Sequence, residues 1–251
     1  MSPFIGPCSN VVRPGHYRTL DYMDTSEFLE VKALFEAYPE IGSVYFRPTD
    51  KALTVVDLHA SSPKPRIGVG EDPYVTVGTT AQHLRPTMPQ RILYLEAVRA
   101  RQKKKSVENQ FEAYLIREAQ AHSLRLPGFP ERLRFIHSQW RMDLPRGGRQ
   151  QFTDLTAVDL PSRSLVLIEL KAAPDTSAYA QAQEYLEYFR SHGDELRPFF
   201  ARVAQVMGNL YDCPQLAALN EVCDPAAALI AWPGALRTIQ VLGLEQLDGL
   251  V

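Results

Sequence analysis

The segment Ser-Leu-Val-Leu-Ile-Glu-Leu-Lys, residues 164–171, constrains the fold of this 251-residue chain more than any other segment. Residues Leu165 to Ile168 form an unbroken aliphatic run, which is typical of a strand covered on both faces of its sheet. Because helices must then pack on both faces, the run predicts a layered α/β fold. Glu169 and Lys171 follow this run directly, and charged groups that emerge from a buried strand need a partner or a function.

The segments around this strand predict the rest of an α/β layer arrangement. Ser106 is the predicted N-cap of a helix at 106–123, because apolar residues with helical spacing follow it. Strand-like stretches come next along the chain. From residue 106 onward the sequence predicts a helix, then strands at 132–142, 151–160 and 164–172, helices at 176–191, 195–211 and 214–220, and strands at 226–232 and 238–244.

The N-terminal third of the chain is predicted to form a small module of its own. It contains a predicted helix at 25–37, two strands around a turn at 47–50, and a further strand-like run at 74–80. We therefore expect three parts: an α/β or mainly β module at 1–86 that serves substrate recognition or assembly, a basic linker helix at 87–105, and a main domain at 106–251.

Charge is distributed unevenly along the chain. Residues 91–150 carry 13 Lys and Arg against 6 Asp and Glu, whereas residues 151–251 carry 6 against 13. A local positive segment can attract a polyanion even though the whole chain has a net charge of −2. The basic run Lys103, Lys104 and Lys105 is therefore a candidate nucleic-acid contact, with an ordinary solvated helix face as the alternative.

A second candidate contact is the loop between the first two strands of the main domain. Arg146 and Arg149 flank two glycines there, so backbone amides and guanidinium groups could hold phosphates. A hairpin turn without a binding role explains the same residues equally well.

Several classes of protein are disfavoured by the sequence. No apolar run reaches the roughly 18 residues that a membrane span needs, and residues 1–18 lack the layout of a secretory signal. The three cysteines form no Cys-x-x-Cys pair, which argues against a zinc or iron–sulfur site built from cysteines alone. Sparse cysteines suit a reducing compartment, and we expect a cytoplasmic protein.

Two acidic residues and a lysine are expected to meet at one end of the predicted sheet. A tight turn at 161–164 makes the strands of Asp154 and Glu169 antiparallel neighbours, and strand alternation puts Lys171 on the same side as Glu169. The two carboxylates would repel each other unless a cation lies between them. Oxygen ligands suit Mg²⁺ or Mn²⁺, and the backbone carbonyl of Leu170 is a further potential ligand. A salt-bridged strand surface is the alternative.

These residues resemble a known family. The pattern Asp154-(14 residues)-Glu169-Leu-Lys171 is similar to the signature of the PD-(D/E)XK nuclease superfamily, and Gln181-Ala-Gln-Glu-Tyr185 is similar to the QxxxY element of its RecB-like branch. A Glu-bearing helix and a Gly-containing loop precede the strands, as in that superfamily. The resemblance covers roughly residues 106–232. Thr153 replaces the proline of the family name, but that proline binds no metal.

The resemblance implies a restriction-endonuclease-like core, with a central mixed sheet flanked by helices, and a role for each matching residue. Asp154 and Glu169 would bind Mg²⁺, with Mn²⁺ as a substitute, and Lys171 would be the catalytic lysine. Gln181 would lie near the site, and Tyr185 would support it from the same helix. Glu108 is the first choice for the metal-binding helix carboxylate, and Glu112 is nearly as suitable.

The implied activity is hydrolysis of phosphodiester bonds. DNA is favoured over RNA and endonuclease over exonuclease action, in defence, restriction or repair. The alternative is a catalytically inactive nucleic-acid-binding or assembly module on the same fold, and a third reading is a protein-interaction domain that uses the acidic C-terminal part. A homodimer is compatible with cutting two strands, which takes two active sites.

Several other polar and aromatic residues are expected to have packing or turn roles rather than catalytic or binding roles. His137 and Trp140 lie on a predicted strand and are expected to pack, and Asp159 ends its strand as a turn residue. Tyr45 and Phe46, beside Arg47, have the chemistry to stack on bases, but packing within a strand is the favoured interpretation.

Overall fold

The computed structural model describes residues 25–49, 53–58, 65–67, 81–93, 106–146 and 149–233, with the backbone alone described at 65–67, 143–146 and 149–150. In chain order the elements are α1 (Thr25–Glu36), β1 (Val44–Pro48), β2 (Leu53–Asp57), β3 (Pro65–Ile67), α2 (Ala81–Leu84), α3 (Val107–Ala121), β4 (Leu133–Arg146), β5 (Arg149–Asp159), β6 (Ser164–Leu170), α4 (Ser177–Ser191), α5 (Gly193–Leu210), α6 (Pro214–Ala217) and β7 (Cys223–Ala231). Residues 88–93 are helical as well.

The larger sheet has four strands in the order β4-β5-β6-β7. Neighbouring strands run antiparallel from β4 to β6, whereas β6 and β7 are parallel. A parallel pair needs a long crossover, and α4, α5 and α6 supply it. All seven residues of β6 are buried, as its aliphatic run predicted. The predicted α/β class, with a central mixed sheet flanked by helices, is confirmed.

Helix α3 begins where the sequence predicted. The side chain of Ser106 accepts a hydrogen bond from the backbone N–H of Asn109 at 3.0 Å, which satisfies one of the free donors at the helix start. The buried face of the helix contains Phe111, Leu115 and Ile116. It also contains Glu112, an acidic residue on an otherwise apolar face.

A smaller antiparallel sheet in the order β1-β2-β3 lies in the N-terminal part, with α1 packed nearby. The predicted helix at 25–37 and the two predicted strands are confirmed by α1, β1 and β2, but β1 includes Arg47 and Pro48, which the sequence placed in the turn. The predicted strands at 74–80 and 238–244 lie outside the described residues, as does the linker helix beyond residue 93.

The smaller sheet contributes to the same hydrophobic core as the larger one. The rings of Tyr45 and Phe135 are 5.3 Å apart, and those of Phe46 and Phe35 are 5.6 Å apart. The Nε2 atom of Gln120 donates to the carbonyl oxygen of Val44 at 3.1 Å. Tyr45 and Phe46 are therefore buried packing residues, which confirms the favoured interpretation of this pair.

Some element boundaries differ from the predicted ones. β4 continues to Arg146 and β5 begins at Arg149, because the two strands pair again between Arg146 and Arg149 after an irregularity in the register that follows Met142. The helix expected at 214–220 ends at Ala217. No helix in the described parts of the chain is both long and apolar enough to cross a bilayer.

Candidate functional site

The candidate site forms where β5 and β6 separate. Their last paired residues are Leu155 and Ile168, so Asp154 and Glu169 stand just beyond the end of the ladder. Past that point β6 pairs only with β7. An oxygen of Asp154, Oδ2, accepts a hydrogen bond from the backbone N–H of Leu170 at 2.8 Å. The carboxylate thus bridges the two strands at the point where their backbone pairing stops.

Lys171 lies on the same side of the sheet as Glu169, as strand alternation predicted. Its Nζ atom is 2.6 Å from Glu169 Oε1 and donates to Gln181 Oε1 at 3.4 Å. Its backbone N–H donates to the carbonyl oxygen of Ala231 at 2.9 Å, which holds this position against β7. Burial alone would lower the pKa of Lys171, but the hydrogen bond and negative charge of Glu169 raise it, so the ammonium form is favoured.

Helix α4 supplies two residues, Gln181 and Tyr185, that hold Lys171 in place. Gln181 and Tyr185 are four residues apart, so their side chains lie on one side of the helix. The amide of Gln181 donates to the hydroxyl of Tyr185, which in turn donates to the carbonyl oxygen of Phe152 at 3.0 Å. The QxxxY pair therefore joins Lys171 to the backbone of β5.

Helix α3 brings two more carboxylates to the site. An oxygen of Glu108 accepts from the backbone N–H of Ala172 at 3.1 Å, just after Lys171. Glu112, one turn later, is buried and reaches toward Asp154 through a shared hydrogen-bond donor. Both helix carboxylates named from the sequence thus reach the site. We call Asp154, Glu169, Glu108 and Glu112 the carboxylate cluster.

Gln139 is the shared donor, and the sequence analysis did not identify it. The register of β4 and β5 pairs the neighbours of Gln139 with those of Asp154, so the two residues lie opposite each other. Its Nε2 atom is 3.1 Å from Asp154 Oδ1 and 3.3 Å from each oxygen of Glu112. Gln139 has φ 50°, an uncommon conformation for a residue other than glycine. Only the register between the strands, which the sequence does not show, would have revealed this residue.

The carboxylate cluster is short of positive charge. Burial raises the pKa of Asp154 to about 6 and that of Glu169 to about 8, and the charge of Asp154 adds to the shift at Glu169. Burial raises the pKa of Glu112 well above its ordinary value, and the negative charge of Asp154 makes a further, smaller contribution. The raised pKa values mean that these carboxyl groups are stabilised by binding a proton or, in its place, a cation. Lys171 is the cationic side chain that contacts Glu169.

Glu169 has a buried oxygen without a hydrogen-bond donor. The residue is 4% exposed, and its Oε2 atom has no partner among the described residues. The Tyr185 hydroxyl lies close enough to lower the pKa of Glu169, but the acceptor within its hydrogen-bond geometry is the carbonyl oxygen of Phe152 at 3.0 Å. A buried carboxylate oxygen left unpaired is energetically unfavourable. A cation bound between Glu169 and Asp154 would remove this penalty.

The donor set fits a hard cation that keeps part of its water shell. Within the described ranges, no three His, Cys, Asp or Glu side chains are arranged so that they could hold a metal ion by themselves. An ion here would therefore depend on Asp154 and Glu169 together with backbone oxygen and water. Mg²⁺ is commonly bound in this way, through one or two carboxylates and several waters.

The basic residues proposed from the sequence are only partly described. Lys103, Lys104 and Lys105 lie outside the described residues. Arg146 and Arg149 are paired residues at the ends of β4 and β5, and the structure describes their backbones but not their side chains. Their contact with nucleic acid remains a prediction.

The residues assigned to packing or to turns have those roles. His137 is buried, with its ring 6.4 Å from that of Phe199 and 6.2 Å from that of Phe200, and Trp140 packs on Phe189 at 4.9 Å. Asp159 accepts a hydrogen bond from Ser162 at 2.6 Å within the turn that follows β5. His137, Trp140 and Asp159 thus have packing or turn contacts away from the carboxylate cluster.

Comparison with known proteins found no match for this chain among family models, curated proteins or solved structures. Its function must therefore be inferred from the carboxylate cluster and from the residues that surround it.

Proposed function

We propose that this chain is a metal-dependent nuclease of the PD-(D/E)XK superfamily. One observation carries the proposal: where β5 and β6 separate, a buried oxygen of Glu169 has no hydrogen-bond partner among the described residues, Asp154 is placed there by the same register on β5, and Lys171 is bound to the other oxygen of Glu169. A carboxylate pair in this state needs a cation, and an ammonium group beside such a cation suits chemistry on a phosphate.

Asp154 and Glu169 would hold Mg²⁺ or Mn²⁺, with the backbone carbonyl of Leu170 and water as further oxygen donors. When bound, the ion would neutralise charge on a phosphate and increase the acidity of a coordinated water. Asp154 is already oriented for this role, because Gln139 and the N–H of Leu170 each bind one of its two oxygens.

Lys171 would stabilise the negative charge that develops on the phosphate during hydrolysis. Its ammonium is held by Glu169 and by Gln181, and the Gln181 amide is in turn held by Tyr185. An ammonium with two acceptors keeps one N–H for the substrate, since Lys has three donors. Gln181 and Tyr185 are thus positioning residues, which act through Lys171.

The proposed substrate is nucleic acid, with DNA favoured over RNA and internal cleavage over end-directed cleavage. The experiment is a cleavage panel of single- and double-stranded DNA and RNA, linear and circular, with Mg²⁺, Mn²⁺ or EDTA. We expect cleavage with Mg²⁺ or Mn²⁺ and none in EDTA. Cleavage of circular DNA by the parent would establish internal cutting.

Three variants test the assignment of residues. Asp154→Asn and Lys171→Ala should each lower the cleavage rate by at least about 100-fold, which is typical for the loss of one group that stabilises charge in the transition state. Asp159→Asn is the matched control, because Asp159 ends the same strand but lies in the turn. Equal rates for Asp154→Asn, Lys171→Ala and the parent would refute the proposed site.

A catalytically inactive nucleic-acid-binding module on the same fold is the second candidate. It is favoured by the arrangement of the described acidic side chains, of which no three surround one position. This candidate predicts that the protein binds oligonucleotides in EDTA and cleaves no member of the panel with any metal. Metal-dependent cleavage that is lost in Asp154→Asn would exclude it.

A further inference from the structure

An exposed aromatic side chain lies on the site face of β5. Phe152 is two residues before Asp154, so strand alternation puts both on the same face. Its side chain is 38% exposed, whereas the neighbours on the other face, Gln151 and Thr153, are buried. The burial of these neighbours fixes the orientation of the strand, so the ring of Phe152 must face outward beside the carboxylate cluster.

A cationic residue stands directly across from this ring. The register of β4 and β5 pairs Arg141 with Phe152, and Arg141 is exposed. The next position along the same face is the Gln139–Asp154 pair. Residues two apart on a strand are separated by about 7 Å. An aromatic ring and a guanidinium group thus lie one step from the proposed metal ligands.

The position of Phe152 is linked to that of the proposed catalytic lysine. Its carbonyl oxygen accepts the hydrogen bond of Tyr185, and Tyr185 is bound to Gln181, which contacts Lys171. The strand that carries the ring and the helix that orients the ammonium are therefore joined by a continuous set of hydrogen bonds. A group bound on Phe152 would keep a defined distance from Lys171.

We propose that Phe152 and Arg141 form a platform for one unpaired nucleotide, and that the substrate strand is single-stranded where it crosses the site. This inference rests on the proposed nuclease function and names its substrate class. The ring of Phe152 would stack on the base and Arg141 would contact the adjacent phosphate. Phenylalanine has no hydrogen-bonding group to read a base edge, and the face of a base is accessible only when the base is unstacked.

The test measures binding without cleavage. Fluorescence anisotropy of a labelled single strand in EDTA reports affinity independently of any metal, with DNA and RNA strands in separate arms and a blunt duplex as comparison. We expect the parent to bind the single strand more tightly than the duplex. Phe152→Ala should weaken single-strand binding by about 5- to 150-fold, the usual effect of losing one stacked base.

Two further variants separate stacking from bulk. Phe152→Leu keeps the apolar volume but has no aromatic face, so it should weaken binding nearly as much as Phe152→Ala, whereas Phe152→Trp should keep parental affinity. Tyr114→Ala is the matched control, because Tyr114 is also 38% exposed but lies on α3, and it should leave affinity unchanged. Circular dichroism of each variant confirms that it is folded.

A salt titration tests the role of Arg141. Losing one phosphate contact should reduce the slope of log affinity against log salt by about 0.7 for a single strand, so Arg141→Ala should show this change and Phe152→Leu should not.

The outcomes distinguish the platform from the nuclease itself. Parental affinity in Phe152→Ala and Phe152→Leu, or tighter binding of the duplex by the parent, would overturn the platform and leave a cleaving parent a nuclease. Weakened binding in these variants, together with a parent that cleaves nothing, would support the platform and reject the nuclease.

Discussion

At the scale of single residues, the site depends on an amide that separates two carboxylates. The Nε2 group of Gln139 donates both to Asp154 and to Glu112, so it is the hydrogen-bond donor that the two carboxylates share. The carboxylates belong to different elements, so this one side chain connects β4, β5 and α3. Gln139 has a positive φ of 50°, which is uncommon for a residue other than glycine.

Replacing Gln139 with Leu should destabilise the protein by about 1–3 kcal/mol, because buried acceptors on Asp154 and Glu112 lose their donor. Urea denaturation of parent and variant measures the difference in unfolding free energy. Gln110→Leu is the control, since Gln110 is an exposed residue of α3 and should change stability by less than about 0.5 kcal/mol. An equal decrease in unfolding free energy in the two variants would show that the hydrogen bonds of the Gln139 amide do not stabilise the fold.

His137 makes stability depend on pH away from the site. Burial, and then the positive charge of Arg47, lower its pKa to about 3. Since the pKa in the unfolded chain is about 6.5, the unfolded state binds a proton between these values that the folded state does not. The contribution of neutral His137 to stability is therefore complete above about pH 6.5 and is lost, at up to about 1.4 kcal/mol per pH unit, as the pH falls.

The corresponding experiment compares the parent with His137→Gln by urea denaturation at pH 7, 6 and 5. Gln does not titrate, and its amide can donate to the carbonyl oxygen of Pro48 as His137 Nε2 does at 2.9 Å. The parent should lose more stability than the variant between pH 6 and pH 5. Parallel pH profiles would show that His137 does not have the lowered pKa.

At the scale of elements, the crossover from β6 to β7 depends on close packing between α5 and α6. Gly208 lies in α5, and a Cβ atom at this position would collide with the backbone of Ala217 in α6. Backbone atoms cannot move aside as side chains can. The crossover holds β7 beside β6, and β7 in turn holds Lys171 through Ala231.

Gly208→Ala should accordingly destabilise the protein by about 1–3 kcal/mol or more, as overpacking of a core does. Gly193→Ala in the same helix is a suitable comparison. Its Cβ would meet the side-chain ends of Arg197 and Asp224, which can rotate away. Thermal denaturation should therefore show a much smaller change for Gly193→Ala, and a similar change in both variants would contradict the packing argument.

At the scale of the whole molecule, the proposed ion would connect elements that are distant in sequence. Asp154 lies on β5 and Glu169 on β6, and Glu108 of α3 lies nearby. These carboxylates accept a hydrogen bond or ion pair from Leu170, Lys171 and Ala172, at the end of β6 and just after it. A ligand that binds the folded chain and not the unfolded one stabilises the fold as a whole. Metal binding should therefore be visible as thermal stability, independently of cleavage.

Addition of Mn²⁺ should raise the melting temperature of the parent, with a gain of about 2.7 kcal/mol when the ion is at 100 times its dissociation constant. EDTA should reverse the effect. Asp154→Asn and Glu169→Gln should lose the shift, whereas Asp159→Asn should keep it. A parental shift that persists in the first two variants would place any bound ion elsewhere.

Local patterns in the sequence were sufficient for most of the elements and for the identity of the central acidic residues. The aliphatic run at 165–168 predicted a buried strand, and β6 is buried throughout. Alternation predicted that Glu169 and Lys171 share a side, and their atoms are 2.6 Å apart. Both features follow from the period of a single strand, which neighbouring residues determine.

Three other features required the folded chain: the placement of Gln139 opposite Asp154, the separation of β5 and β6 that leaves Glu169 Oε2 unpaired, and the core that the N-terminal sheet shares with the larger one. Each depends on register or packing between segments far apart in sequence. A shift or bulge changes register without changing the period of any strand, so it leaves no signal in the residue pattern. The residue pattern alone therefore determined which segments are strands and helices and which acids could act, whereas the way those segments pair and pack determined which side chains meet.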